Sequence, residues 1–217
     1  MSSPLTLAES YSRVADEYAL RIFDELKDKP LDRQLLTELA ERTRGKGIVC
    51  DLGCGPGQVA RFLHELGVDV LGMDAAPGMV AQARQLNPGL AFQVGDMLAL
   101  DVPDGSWAAA AAFYSLIHIP RPDMPQALRE IWCALQPGGW LLATFHIGTE
   151  TVHLDEWWER PVQLDFHFFQ PQEMISFLAA ANFAIVDVIE RDPYPEVEHP
   201  SRRCYILAQK PQERTHA

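Results

Sequence analysis

The chain has 217 residues, 47% of them hydrophobic, which is enough to bury one sizeable core and falls where a single α/β domain spanning 1–217 is expected. A formal net charge of -12 opposes sequence-independent attraction to nucleic acid, which depends on Lys and Arg neutralising phosphates. No apolar stretch approaches 18 residues and residues 1–10 show no charged-then-apolar leader, so neither a membrane span nor a secretory signal is expected, and a cytoplasmic location is.

In chain order, residues 9–26 set Tyr11, Val14, Ala15, Tyr18, Ile22 and Leu26 on one helical stripe, an amphipathic helix predicted to pack on the main body. Lys29-Pro30 ends it, and 31–43 repeats helical spacing through Leu35, Leu36 and Leu39. Strand-like and helical runs then alternate: strand 47–52, helix 58–66, strand 69–73, helix 77–86, strand 90–94, an alanine-rich strand 107–113, helix 124–135, and strand 140–146 after a Gln-Pro-Gly-Gly turn. That alternation predicts a parallel sheet covered on both faces. Residues 147–170, rich in Trp, Phe, His and Asp with no clean period, read as a cover or substrate loop. A helix at 172–181 and strands at 183–190 and 203–209 follow, the last two predicting an antiparallel closing hairpin. Cys50, Cys54, Cys133 and Cys204 match no zinc spacing and read as buried thiols, and no metal site is expected.

The most specific stretch is Val49-Cys-Asp-Leu-Gly-Cys-Gly-Pro-Gly57. Gly53, Gly55 and Gly57 let the backbone turn sharply and approach a ligand, and the following helix is expected to offer free N–H groups to an anion. A phosphate-binding P-loop needs Gly-Lys-Ser/Thr, which is absent. A dinucleotide loop stays open, because Gly55, Gly57 and Ala60 satisfy its pattern and Asp74 lies at its acidic position. Asp51 turns the balance: a carboxylate at the loop's mouth repels a pyrophosphate and complements a cation such as a sulfonium.

With Asp51 included, the stretch resembles the first motif of the class I S-adenosylmethionine-dependent methyltransferases. Asp74 closing the second strand, Asp96 and Met97 in Phe92-Gln-Val-Gly-Asp-Met97, and Leu135-Gln-Pro-Gly-Gly-Trp-Leu141 resemble that family's later motifs in order, over about residues 45–210. The resemblance implies a Rossmann-like three-layer sandwich with a seven-stranded sheet of order 3-2-1-4-5-7-6, only strand 7 antiparallel. It also implies S-adenosylmethionine as cofactor, with Asp74 on the ribose hydroxyls and Asp96 and the Met97 N–H on the adenine. Asp74 and Asp96 have ordinary readings too, as a helix cap and a turn residue.

The segment Phe113-Tyr-Ser-Leu-Ile-His118 lacks the Asn/Asp-Pro-Pro-Tyr/Phe of amino methyltransferases and is closer to small-molecule methyltransferases of the ubiquinone and natural-product type. Tyr11-Ser-Arg-Val-Ala-Asp-Glu-Tyr18 resembles their lid, so residues 1–30 are expected to cover the cofactor, with Tyr11, Tyr18 and Tyr114 facing it, and 147–170 to face the substrate. His118 and His146 are the candidate general bases. Trp157, Trp158, Phe166, Phe168 and Phe169 either wall the acceptor or anchor the loop. The expected partner is a small-molecule acceptor; a regulatory methyltransferase-like subunit and an RNA or protein methyltransferase are the alternatives.

Overall fold

The computed structural model describes residues 5–212; residues 1–4 of the expected lid and 213–217 of the expected domain lie outside them. Helix α1 (Leu7–Ile22) begins two residues before the position the apolar stripe suggested, because Thr6 and Glu9 close a capping box: the Thr6 side chain accepts from Glu9 N, and Glu9 accepts from Thr6 N. The helix ends at Ile22, and a short 3₁₀ turn, Glu25–Asp28, leads to Lys29, which precedes α2 (Pro30–Thr43).

The Rossmann-like body then runs β1 (Ile48–Leu52), α3 (Gln58–Glu65), β2 (Val70–Asp74), α4 (Pro77–Leu86), β3 (Ala91–Val94), β4 (Trp107–Phe113), α5 (Met124–Ala134), β5 (Leu135–His146), β6 (Thr151–Trp157), β7 (Arg160–His167), α6 (Pro171–Ala180), β8 (Ala184–Arg191) and β9 (Arg203–Gln209). The main sheet has the order β3-β2-β1-β4-β5-β9-β8. This is the expected 3-2-1-4-5-7-6 arrangement, with β6 and β7 numbered in a separate two-stranded sheet. Only β9 is antiparallel, pairing so with both β5 and β8.

Side chains along each central strand alternate between two cores. Cys50, Ala110, Ala112, Leu141, Ala143, Ile206 and Ala208 face α5 and α6, while Val49, Ala109, Ala111, Leu142, Tyr205 and Leu207 face α2 and α3. The alanine run of β4 lies at the sheet's centre and is wholly buried, its small side chains letting both helical layers come close. Cys50, Cys54 and Cys204 are buried as expected, whereas Cys133 is exposed, on the side of α5 away from Leu128 and Ile131. Among the described residues no helix is long and apolar enough to cross a membrane.

Residues 147–170 are ordered where an irregular loop was expected. They form the β6–β7 hairpin, whose inward residues Val162 and Leu164 pack on Val14 of α1. Two features hid it. Its turn, Trp158-Glu159, has both residues at positive φ, 51° and 61°, the conformation of a tight two-residue hairpin turn that Asn-Gly ordinarily signals. Its period-2 pattern is interrupted by a register shift between Leu154 and Glu156. The hairpin clamps α1: Ser10 Oγ accepts from Gln163 N (2.9 Å), and Arg160 pairs with Asp16. On its other side α1 meets α4 so closely that a Cβ on Gly78 would lie 2.7 Å from the Ser12 Cα.

Exposed Glu159 carries the left-handed strain without a compensating contact, so Glu159→Gly is expected to raise stability by about 0.5 kcal/mol in urea unfolding.

Candidate active site

A cavity of about 440 Å³, in the size range of small-molecule sites, opens at the carboxyl ends of β1–β5, roofed by α1 and flanked by the β6–β7 hairpin. Its floor is the glycine loop. Gly53 N and Cys54 N both donate to Met73 O, at 2.7 and 2.9 Å, and Gly53, Gly55 and Gly57 all take positive φ, 79°, 52° and 87°. A Cβ on Gly53 would lie 2.2 Å from the Ser115 Cβ, and one on Gly57 would meet Asn87 Nδ2 at 2.7 Å. Gly55 differs: its missing Cβ points into the cavity, where the nearest atom is on the Tyr18 ring at 3.7 Å. Two glycines therefore serve packing, and the third leaves open space in the cavity.

Four carboxylate-bearing or adjacent positions line the same space: Asp51, Asp74, Asp96 and Met97. Asp51 corrects an expectation. It is buried rather than standing at the loop's mouth, and its Oδ2 accepts from Ala60 N at 2.9 Å, so one helix N–H expected to be free for an anion is already taken. Burial pushes its carboxyl up to about 7. Asp74 accepts from Gly55 N through Oδ2 (2.9 Å) and from Ala76 N through Oδ1 (2.8 Å), tying the glycine loop to the start of α4. Burial raises its pKa, and each oxygen keeps a further lone pair for a donor in the cavity. Asp96 is exposed and accepts from Leu98 N, the turn role, while also lining the cavity.

His118 sits on a 3₁₀ turn after β4 with both ring nitrogens engaged. Nδ1 lies 2.9 Å from the Asp165 carbonyl, which can only accept, so Nδ1 carries the proton and Nε2 is left as the acceptor for the Tyr11 hydroxyl at 2.7 Å. Burial lowers the His118 pKa to about 4, and it raises that of Tyr11. Tyr11 and Tyr18 meet edge to face above the loop, with centroids 6.0 Å apart. His146 is stacked on Phe168, and its Nδ1 is 2.8 Å from Ser201 Oγ. Burial and the nearby Arg203 charge lower its pKa to about 3. Tyr114 lines the cavity with its ring, its hydroxyl turned to that of Tyr205 at 3.2 Å.

The aromatic segment divides. Trp157, Phe166 and Phe168 line the cavity, Trp158 stacks outside on Trp157 beneath Arg21, and Phe169 is in the core. His153 is exposed between Asp155 and Asp165, and His167 meets Thr151; both stand outside the cavity. Sequence reasoning missed Ser115, whose Oγ donates to Leu52 O (2.6 Å), and Asn87, whose Nδ2 donates to Pro56 O (3.0 Å) and props the loop. It also missed Lys29, His199 and Arg203, which line the far end of the cavity and carry no local motif.

A glycine cradle with a cleared approach, acidic residues at the ends of three successive strands and an apolar roof define a nucleoside-binding α/β protein. Residues 49–139 match the family described as "Methyltransferase domain". The chain is 30% identical over 171 residues to a malonyl-[acyl-carrier protein] O-methyltransferase of Serratia marcescens, covering 75% of this chain and 66% of that one. It is 35% identical over 94 residues to a demethylmenaquinone methyltransferase of Beutenbergia cavernae, covering 43% and 38%. Among solved structures, the DhpI–SAH complex superposes with a TM-score of 0.73 at 25% identity over 94% of each chain. The chain thus spans two thirds or less of the curated relatives it matches. It belongs to the class I S-adenosylmethionine-dependent methyltransferases, whose cofactor the cleared Gly55 approach and the free lone pairs of Asp74 fit.

The buried Asp51 gives a pH signature. Its carboxyl ionises near 3.8 when unfolded and near 7 when folded, so between those values the folded state holds the extra proton. The ligand-free protein accordingly loses this contribution as pH rises through the window. Asp51→Asn keeps an acceptor for Ala60 N–H without the charge, and its stability relative to wild type is expected to climb from pH 4 to pH 7 by up to about 4 kcal/mol, measured by urea unfolding.

Proposed function

We propose that the protein transfers a methyl group from S-adenosylmethionine to a small-molecule acceptor by in-line displacement, a reaction accelerated chiefly by holding two reactants aligned. The observation that carries this reading is one cavity joining the glycine loop and its acidic strand ends to a neutral histidine of defined tautomer. Bound S-adenosylmethionine supplies an electrophilic methyl carbon on a sulfonium. Asp74 would hold the ribose hydroxyls, Asp96 and the Met97 N–H the adenine, and Gly55 the close approach of the chain, with Gly53 and Gly57 shaping the loop behind it. Asp51 adds negative potential beneath the cation, while Tyr11, Tyr18 and Tyr114 exclude water around it.

His118 acts as general base toward an acceptor hydroxyl or ammonium. The Asp165 carbonyl keeps Nδ1 protonated, so Nε2 receives the proton as the acceptor's lone pair bonds to carbon, and Tyr11 yields that nitrogen by turning its hydroxyl away. His146 orients the acceptor from the opposite wall. Residues 1–30 serve as the lid and 147–170 as the substrate-facing insert of a single domain. A net charge of -12 favours a small acceptor over nucleic acid.

Saturating S-adenosylhomocysteine is expected to raise the wild-type melting temperature by about 5–10 °C and that of Asp74→Ala by almost nothing; a full shift in the variant would remove Asp74 from the ribose site. Because a base must be unprotonated to work, the limb of kcat/KM for a hydroxyl acceptor that belongs to His118 is expected near pH 4, well below the change near 7 that belongs to Asp51 in the ligand-free enzyme. His118→Asn should lower kcat by about 10²-fold or more and abolish that limb.

A further inference from the structure

Arg203 opens β9 and is paired in register with His146 of β5, and 3% of it is exposed. Its Nη1 donates to the carbonyls of His199 and Ser201. Its Nε is buried without a hydrogen-bond partner, lying 3.2 Å from Glu198 Oε1 in poor geometry, and Nη2 has no partner among the described residues. A guanidinium so placed is costly unless something arrives to bind it.

The nearby acids do not fill that need. Glu198 is already held by Arg191, whose Nη1 and Nη2 donate to its two oxygens at 2.6 and 2.9 Å, and it accepts from Tyr194 N as well. Glu25 pairs with Lys29, whose ammonium is 3.7 Å from Glu198. Asp32 accepts from the Tyr205 hydroxyl and from Arg191, and burial favours its neutral form. Arg203 is thus left with unpartnered N–H groups at the cavity wall, with His146, His199 and the rings of Tyr114 and Phe168 around it.

Position separates this wall from the donor's cradle. The cradle spans the ends of β1, β2 and β3, whereas β9 lies on the other side of β1, beyond β4 and β5. At the usual strand spacing that is roughly 14 Å away.

We infer that Arg203 anchors an oxyanion of the acceptor, so that the molecule methylated is a small organic acid with an apolar body lying along Phe166 and Phe168. The inference rests on the methyl-transfer reading and deepens it. The oxyanion is the handle rather than the methylated atom, because an ionised carboxylate would leave the basic Nε2 of His118 without a proton to take. Charge-assisted N–H donors of one guanidinium suit a carboxylate or a comparable oxyanion, with Lys29 adding long-range attraction.

Calorimetric titration of the protein, with and without saturating S-adenosylhomocysteine, tests this with 3-phenylpropanoate and hexanoate against their primary amides. Each acid is expected to bind about tenfold tighter than its amide or better at low salt, and Arg203→Met to bring the ratio to within about threefold while leaving the affinity for S-adenosylhomocysteine within about threefold. Arg203→Lys, checked for folding by circular dichroism, should retain an intermediate preference and stands in if the methionine variant does not fold. Wild type binding no acid more tightly than its amide would overturn the inference. So would an Arg203 variant that loses S-adenosylhomocysteine as strongly as the acid, since the guanidinium would then serve the donor's own carboxylate. Failure of the wild type to bind S-adenosylhomocysteine at all would instead count against the methyl-transfer reading, with the acid and amide comparison still standing.

Discussion

Two backbone N–H groups held by two carboxylates, Asp51 buried and Asp74 half-buried, give this site its shape. Asp74 draws in Gly55 N and Asp51 draws in Ala60 N, so the glycine loop is pinned to the end of β2 on one side and to the first turn of α3 on the other. Both acids lie near the ends of paired strands, and the Asp74 charge adds to burial in raising the cost of ionising Asp51. Burial disfavours the charged form of both carboxyls, so their ionisation is sensitive to any charge placed in the cavity beside them.

Around this cradle the molecule is arranged by clamping. Helix α1 lies between α4, where Gly78 allows contact with Ser12, and the β6–β7 hairpin, which grips it through Gln163 and Arg160. The same hairpin presents the Asp165 carbonyl that fixes the His118 tautomer, and α1 presents the Tyr11 hydroxyl that occupies its other nitrogen. Helix α1 and the β6–β7 hairpin consequently meet on one imidazole.

Much of the architecture was legible from local pattern. The alternation of apolar strands with helices, the positive-φ glycines and the acidic strand ends lie within short windows, and the closing hairpin followed from two strands with no helix between them. The β6–β7 hairpin was not legible, because Trp158-Glu159 adopts a turn its side chains do not announce and a register shift breaks the alternation. The roles of Asp51 and Arg203 were hidden for a different reason. Whether a carboxylate faces a ligand or caps a helix, and whether a guanidinium finds its partners, depends on neighbours distant in the chain: Ala60 for one, Glu198 and Arg191 for the other.

By itself the sequence determined the fold class, the sheet order through its family resemblance, the glycine loop and the candidate histidines His118 and His146, because backbone conformation and periodic burial are properties of a few consecutive residues. Only the tertiary structure decided which aromatic residues reach the cavity, which nitrogen of His118 is the acceptor and which arginine keeps an unpartnered N–H. Those are matters of hydrogen-bond accounting between strands and helices up to about 170 positions apart, as between Asp32 and Tyr205, and such accounts close only when the chain is folded.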